Sequence, residues 1–179
     1  QKNVEIGGRM FRRLFPSEDM DSIYDIDFKA FRERGYRAVL FDIDNTLVEH
    51  GAPVTPRVTA FFKELHDLGY ETCLISNNKE PRVASFANQV GSRYLYKAGK
   101  PSPDGYIKAM QICGSTKDNT LFVGDQLFTD VWGANRAGIH SILVKPIHPK
   151  EEIQIILKRR LEWVVLIFYR RYKKKHGKD

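Results

Sequence analysis

The sequence predicts an α/β fold of three layers, with a central parallel sheet of about five strands flanked by helices. Three observations carry that reading. Short apolar runs rich in β-branched and aromatic residues recur along the chain. Single amphipathic stretches of helical period separate them, and Pro or Gly marks the start or end of most of those stretches. Strands buried on both faces and joined by single helices need right-handed crossovers, so they run parallel in a Rossmann-like arrangement.

The elements follow in order. Ala38–Phe41 is a wholly apolar strand. Residues 58–68 form an amphipathic helix, preceded by Pro56 and closed by Gly69. Residues 72–75 are the second strand, and Glu80–Val90 is a helix with Pro81 in its first turn and Gly91 after it. Residues 93–96 are a short third strand, and Pro103–Cys113 is a helix ended by Gly114. Residues 120–123 are the fourth strand, 130–137 a helix ended by Gly138, and 141–144 the fifth strand. Around this catalytic core (37–148), residues 1–36 are expected to pack on it or lead into it. Residues 149–179 are expected to form a basic amphipathic helix and tail. The chain opens on Gln1, with Met10 a candidate native start.

Composition narrows the class. Apolar residues make up 42% and charged residues 28%, which excludes disorder as the state of the middle of the chain. Cys73 and Cys113 each sit in an apolar stretch without C-x-x-C spacing, so neither a disulfide scaffold nor a zinc site is expected, and a reducing compartment fits. No signal peptide or spanning segment is expected. The net charge of +7 is uneven: from position 150 onward ten Lys and Arg face four Asp and Glu, against 19 and 18 in the remainder. The basic character belongs to the tail and points to an anionic surface as partner.

Parallel sheets bind ligands at the carboxyl ends of their strands, so the residues that follow each strand are the ones to read. They are Asp42, Asp44, Asn45 and Thr46, then Ser76, Asn77 and Asn78, then Lys97 to Lys100, then Asp125 and Asp130. Asp42 and Asp44 stand two residues apart, and like charges at close range oppose ionisation unless a counter-ion joins them. A hard divalent cation with oxygen ligands resolves this, and Mg2+ suits a site with few protein carboxylates. A phosphoryl group there needs an in-line nucleophile, neutralisation of its oxygens and a proton for the leaving alcohol. Asp42 can attack and Asp44 can give and take the proton, while Ser76 and Lys100 bind the group being transferred. Backbone N–H groups around Asn45, Thr46 and Asn77 add donors aimed at the developing charge.

The run D-I-D-N-T-L from Asp42 to Leu47 resembles the first motif of the haloacid dehalogenase-like superfamily. Ser76, Lys100 and G-D-Q-L-F-T-D from Gly124 to Asp130 match its second, third and fourth motifs in order, and the resemblance covers roughly residues 37–145. It implies that Asp42 is the nucleophile and that Asp44 is the acid/base, its backbone carbonyl binding the metal. It implies further that Asp42 and Asp125 complete the protein ligands, and that Asp130 ligates or orients water. A carboxylate at position 44 favours phosphatase chemistry, since an alkoxide leaving group needs an acid.

The gaps 47–55 and 76–100 are too short for the cap domain that encloses small substrates in many superfamily members. An open site suits a phosphate displayed on something large. The stretch 163–169 is apolar but far shorter than the ~20 residues a spanning helix needs. With Trp163 and the basic residues Arg170, Arg171, Lys173, Lys174 and Lys175, it resembles an interfacial anchor. The alternative is a helix that packs Ile156, Val164 and Phe168 on the sheet. M-F-R-R-L-F-P at residues 10–16, with D-I-D-N-T-L, S-N-N and G-K-P, looks like the phosphatidylglycerophosphate phosphatase family. That resemblance implies dephosphorylation of phosphatidylglycerophosphate in phospholipid biosynthesis, by a cytoplasmic protein held peripherally at the inner face of the membrane or at an equivalent organelle face. The expected partners are an anionic phospholipid substrate and the membrane surface. No nucleic acid is expected, because the aromatics fall on helical spacing rather than on a stacking sheet face. The competing readings are a capless phosphatase for a phosphoprotein or a nucleic acid end, or for a small metabolite with a second subunit as lid.

Overall fold

A computed structural model of the chain describes residues 14–148. Six strands build one sheet: β1 (Glu18–Met20), β2 (Ala38–Phe41), β3 (Glu71–Ile75), β4 (Arg93–Leu95), β5 (Thr120–Gly124) and β6 (His140–Val144). Every neighbouring pair is parallel, in the order β1-β6-β5-β2-β3-β4. The chain lays β3 and β4 outward on one side of β2, then returns to lay β5 and β6 on the other. The order therefore reverses beside β2, and the crevice at its carboxyl end is where such a sheet takes a ligand.

Among the described residues, five α-helices cover the two faces: α1 (Phe28–Glu33), α2 (Pro56–Asp67), α3 (Glu80–Val90), α4 (Pro103–Cys113) and α5 (Trp132–Arg136). The period of two along β2 divides the core. Val39 and Phe41 join Phe61, Phe62 and Leu65 of α2 and Val83 and Phe86 of α3. Ala38 and Leu40 join Tyr106, Ala109 and Met110 of α4 and Ala134 of α5. Local chemistry sets the helix ends. The Thr55 hydroxyl accepts from the Val58 N–H and Pro56 opens α2, while Gly91 and Gly114 close α3 and α4 with φ of 67° and 62°.

Three features go beyond the sequence pattern. The sheet has one more strand than the five apolar runs, because β1 docks on β6 with Glu18 opposite Ile142. Only Met20 of its three residues is apolar, so its pairing partner rather than its own pattern makes it a strand. Helix α1 is capped by Asp27, which accepts from the Ala30 N–H at 2.9 Å, and it buries Phe28 and Phe31. The ring of Phe28 meets those of Phe61 and Tyr70, and the Tyr70 hydroxyl donates to the Phe28 carbonyl at 2.8 Å. The helix expected over 130–137 begins instead in a widened π-helical turn, Leu127–Val131, with the Val131 N–H reaching the Gln126 carbonyl at 3.1 Å. That extra width turns Asp130 inward, where it is fully buried.

No helix among the described residues is long and apolar enough to cross a membrane. The membrane-contact candidates Trp163, Arg170, Arg171, Lys173, Lys174 and Lys175 lie outside the described residues.

Candidate active site

Asp42 is the first residue beyond β2, held in line with the sheet by its N–H on the Val123 carbonyl at 3.0 Å. The chain then turns sharply. Asn45 adopts φ of 63°, a left-handed conformation that Asn tolerates better than most residues, and its N–H closes the turn on the Val48 carbonyl at 2.7 Å. Thr46 comes back over the site, its hydroxyl 3.3 Å from Asp125 Oδ1 and 3.5 Å from Asp42 Oδ2. Asn45 is itself buried, and its Oδ1 has no hydrogen-bond partner.

Lys100 arrives after β4 and joins two of the carboxylates. Its Nζ donates to Asp42 Oδ1 at 2.5 Å and to Asp130 Oδ1 at 2.7 Å, all three side chains being nearly or fully buried. The Lys100 main chain is clamped by Asn77, whose Oδ1 accepts from the Lys100 N–H at 2.9 Å and whose Nδ2 donates to its carbonyl at 3.1 Å. The Asn77 side chain thus positions Lys100, and its backbone N–H is left for a phosphate. Asp130 is held on its other oxygen by the Gln126 N–H at 3.1 Å. Behind it, the Tyr106 hydroxyl donates to the carbonyls of Thr129 and Asp130. Gly124 makes room for this arrangement, since a Cβ there would lie 2.6 Å from Asp130 Oδ2.

Burial pushes the Asp42 carboxyl up to about 7, a rise that Lys100 opposes and the Asp130 charge assists. Burial works against the Lys100 charge as well, but Asp130 and Asp42 outweigh it and hold the ammonium well above its ordinary range. Ligand atoms of Asp42, Asp125 and Asp130 all lie within 4.8 Å of one another. Counted as ionised, three carboxylates and one ammonium leave a net of −2, which one divalent cation cancels. Octahedral oxygen ligands at about 2.1 Å from Mg2+ lie roughly 3–4 Å apart, so the cluster fits such an ion with a slight contraction.

Asp44 looks to a second set of partners. Its Oδ1 accepts from the Gly51 N–H at 2.9 Å and from Arg82 at 2.6 Å, and its Oδ2 accepts from Asn78 Nδ2 at 2.5 Å. Burial alone would raise this carboxyl, but the hydrogen bonds from Arg82 and Gly51 hold it below the usual carboxylate range. Asp44 is therefore a carboxylate here, ready to take a proton. To give one it must first part from Arg82. The same guanidinium donates to the carbonyls of Gly51 and Ala52 at 3.2 and 3.1 Å, while its buried Nε has no partner. Such an unpaired donor costs about 1–3 kcal/mol.

Ser76 follows β3 and is buried, its hydroxyl accepting from the Asn78 N–H at 3.1 Å. Asp42, Thr46, Lys100, Asp125 and Asp130 thus form one group and Asp44 the centre of another. Arg82 was not among the candidates read from sequence, and Asn78 was read only as a strand-end residue with no role assigned. One signal points to Arg82: it lies in the first turn of a helix that follows a strand, and in a parallel sheet those turns start at the edge where ligands bind. Its attachment to Asp44, 38 residues away, has no local signature.

A family model for haloacid dehalogenase-like hydrolases matches residues 49–138. The probable phosphatase YqeG of Bacillus subtilis (strain 168) is 35% identical over 159 residues, covering 88% of this chain and 92% of that protein. The chloroplastic/mitochondrial phosphatidylglycerophosphate phosphatase 1 of Arabidopsis thaliana is 25% identical over 92% of this chain, which spans 50% of that longer protein. Among solved structures, the HAD phosphatase from Thermococcus onnurineus superposes with a TM-score of 0.54 at 14% identity, covering 65% of this chain and 89% of the other. That last likeness is one of fold.

Proposed function

The chain belongs to the haloacid dehalogenase-like hydrolases and acts on phosphate monoesters, and from that premise we propose a Mg2+-dependent reaction through a phosphorylated Asp42, with phosphatidylglycerophosphate as substrate at a membrane surface. The observation that carries the chemistry is the gathering of Asp42, Asp125 and Asp130 within 4.8 Å, with Lys100 between two of them. Asp42, Asp125, the Asp44 carbonyl and Asp130, directly or through water, would hold the ion. A bound Mg2+ supplies positive charge that neutralises the phosphoryl oxygens and favours the carboxylate form of its ligands.

The protein groups divide the remaining work. An Asp42 oxygen attacks phosphorus as the bond to the ester oxygen breaks, and protonated Asp44 gives that oxygen its proton so that the alcohol leaves. Asp44, now a carboxylate, then takes a proton from the water that attacks the aspartyl-phosphate, which frees inorganic phosphate and restores Asp42. Lys100 and the Ser76 hydroxyl, with the N–H groups of Asn45, Thr46 and Asn77, bind the oxygens of the transferring group.

Among the described residues no cap is inserted beside the site, which supports a large substrate. Between Leu47 and Thr55 there is only a short loop before α2, and between Ser76 and Lys100 only α3 and β4. The mouth also carries apolar side chains that suit a lipid surface. Leu127 and Phe128 follow β5, Ile147 follows β6, and they are 39%, 51% and 44% exposed. The name of the Arabidopsis relative and the basic tail add to this reading. It puts the protein peripherally on an anionic leaflet, where the net of +6 from position 150 onward (ten basic residues less four acidic), at ~1 kcal/mol per basic residue, supplies several kcal/mol before salt screening.

The test measures phosphate release from phosphatidylglycerophosphate in mixed micelles beside a sugar phosphate, a 3′-phosphorylated oligonucleotide and a phosphopeptide. The lipid should be turned over fastest, and chelation of Mg2+ should stop all turnover. Preference for the oligonucleotide or the peptide would replace the lipid with that substrate. Removal of residues 170–179 should weaken sedimentation with anionic vesicles, most of all at low salt. Equal sedimentation would take the tail out of the account.

A further inference from the structure

Neither oxygen of Asp44 is without a donor: Oδ1 serves Gly51 and Arg82, and Oδ2 serves Asn78. Three of the about four acceptor sites of the carboxylate are thus taken, so if Asp44 is the acid/base, opening one of these bonds is what gives the ester oxygen room to meet it. Gly51 offers a backbone N–H. Asn78 is fixed in its turn, with its N–H on the Ser76 hydroxyl and its carbonyl accepting from the Lys97 N–H at 3.1 Å. Arg82 is the partner on a long, rotatable side chain, 27% exposed, and the partner whose Nε is left unpaired. It is the bond that can open.

The position of Arg82 says what would open it. The acid/base sits at the leaving oxygen, so a group that touches its carboxylate at 2.6 Å faces the part of the substrate beyond that oxygen. A guanidinium leaves a carboxylate readily for another anion that takes its fork of donors, and phosphate matches that fork. We propose that Arg82 is a specificity-determining residue that exchanges Asp44 for a second anionic group on the leaving side of the substrate, freeing Asp44 to reach the ester oxygen. The anion is a phosphodiester a few bonds from the scissile phosphate, the chemistry of a phosphorylated glycerol carried on a phosphatidyl group. Binding energy from this remote group is then used to assemble the acid, so the selectivity shows in kcat as well as KM. This inference rests on Asp44 as acid/base in a phosphomonoesterase, and it is separable from the lipid itself.

The experiment compares kcat and KM of the full chain with Mg2+ on two soluble compounds. They are glycerol 3-phosphate and glycerophosphoglycerophosphate, which differ by one glycerophosphodiester. The wild type should favour the second by about 10- to 100-fold in kcat/KM, the scale of a charge-assisted contact. In Arg82→Ala that preference should collapse, whatever the change in absolute rates. Should the Ala variant melt too low to assay, Arg82→Gln, which keeps a donor for the Gly51–Ala52 loop without the charge, is read by the same ratio. No preference in the wild type, or equal losses on both compounds in the variant, would overturn the proposal. If the soluble diester is favoured but the micellar lipid is not hydrolysed, the lipid reading fails and the role of Arg82 stands. If the lipid is hydrolysed and the ratio survives in Arg82→Ala, the reverse holds.

Discussion

Two lysine–aspartate pairs in this protein have nearly the same length and opposite meaning. On the outside of α2, Lys63 meets Asp67 at 2.6 Å with side chains 76% and 65% exposed. At the carboxyl edge of the sheet, Lys100 meets Asp130 at 2.7 Å with side chains 5% and 0% exposed. The first pair is one helical turn apart in sequence and stays solvated whether or not it forms, so it is worth little. The second brings together residues 30 apart, takes both from water, and shares the lysine with Asp42. Burying such charges is costly, and the arrangement persists because each group is held by others. Distance alone does not distinguish them. Burial, and a third charge within reach, do.

The contrast can be broken at several points. The largest effect is expected from Asp42→Asn, which should lower kcat by on the order of 10³-fold or more while leaving the melting temperature almost unchanged. Substantial phosphatase activity in that variant would remove Asp42 as the nucleophile. Lys100→Met should destabilise by about 3–5 kcal/mol in denaturant titrations, because Asp42 and Asp130 then face each other without a cation. Saturating Mg2+ should return part of that loss, whereas an unchanged midpoint would mean that the buried cluster tolerates its own repulsion. Gly124→Ala is a milder probe of the same packing. Its added Cβ drives Asp130 aside and should cost about 1–3 kcal/mol, with weaker Mg2+ binding measured by calorimetry.

Acid titration sharpens the comparison from the Asp44 side. Its folded-state carboxyl lies below the unfolded value, so its contribution to stability is fully present above about pH 4 and is lost as pH falls through the lower folded value. Arg82→Ala should flatten that acid limb in pH-dependent unfolding. A limb of unchanged slope would mean that Gly51 and Asn78 hold Asp44 unaided. The smallest effect belongs to Lys63→Ala, expected within about 0.5 kcal/mol of wild type and with full activity.

Much of this site is legible without coordinates. The apolar run Ala38–Phe41 has to be a buried strand, and its first polar successor has to lie at the ligand-binding edge of a parallel sheet. The same logic brings Ser76, Lys100, Asp125 and Asp130 to that edge, each just beyond a strand or a turn. What is not legible is which group each side chain takes as its partner. Asn77 reads as a strand-end residue with a backbone N–H for phosphate, and nothing in its neighbours says that its side-chain amide holds the Lys100 main chain 23 residues away. Asp130 reads as the start of a helix until a widened turn buries it.

The amino-acid order by itself determined the alternation of strands and helices, the strand-end positions of the acidic residues and the brevity of the segments 47–55 and 76–100. Those follow from periodicity, turn chemistry and chain length, which act over a few residues. Tertiary structure alone decided that β1 pairs with β6, that Lys100 bridges Asp42 and Asp130, and that Arg82 holds Asp44. Each of these joins residues far apart along the chain. Their meeting depends on strand order and crossover packing, which no local propensity encodes.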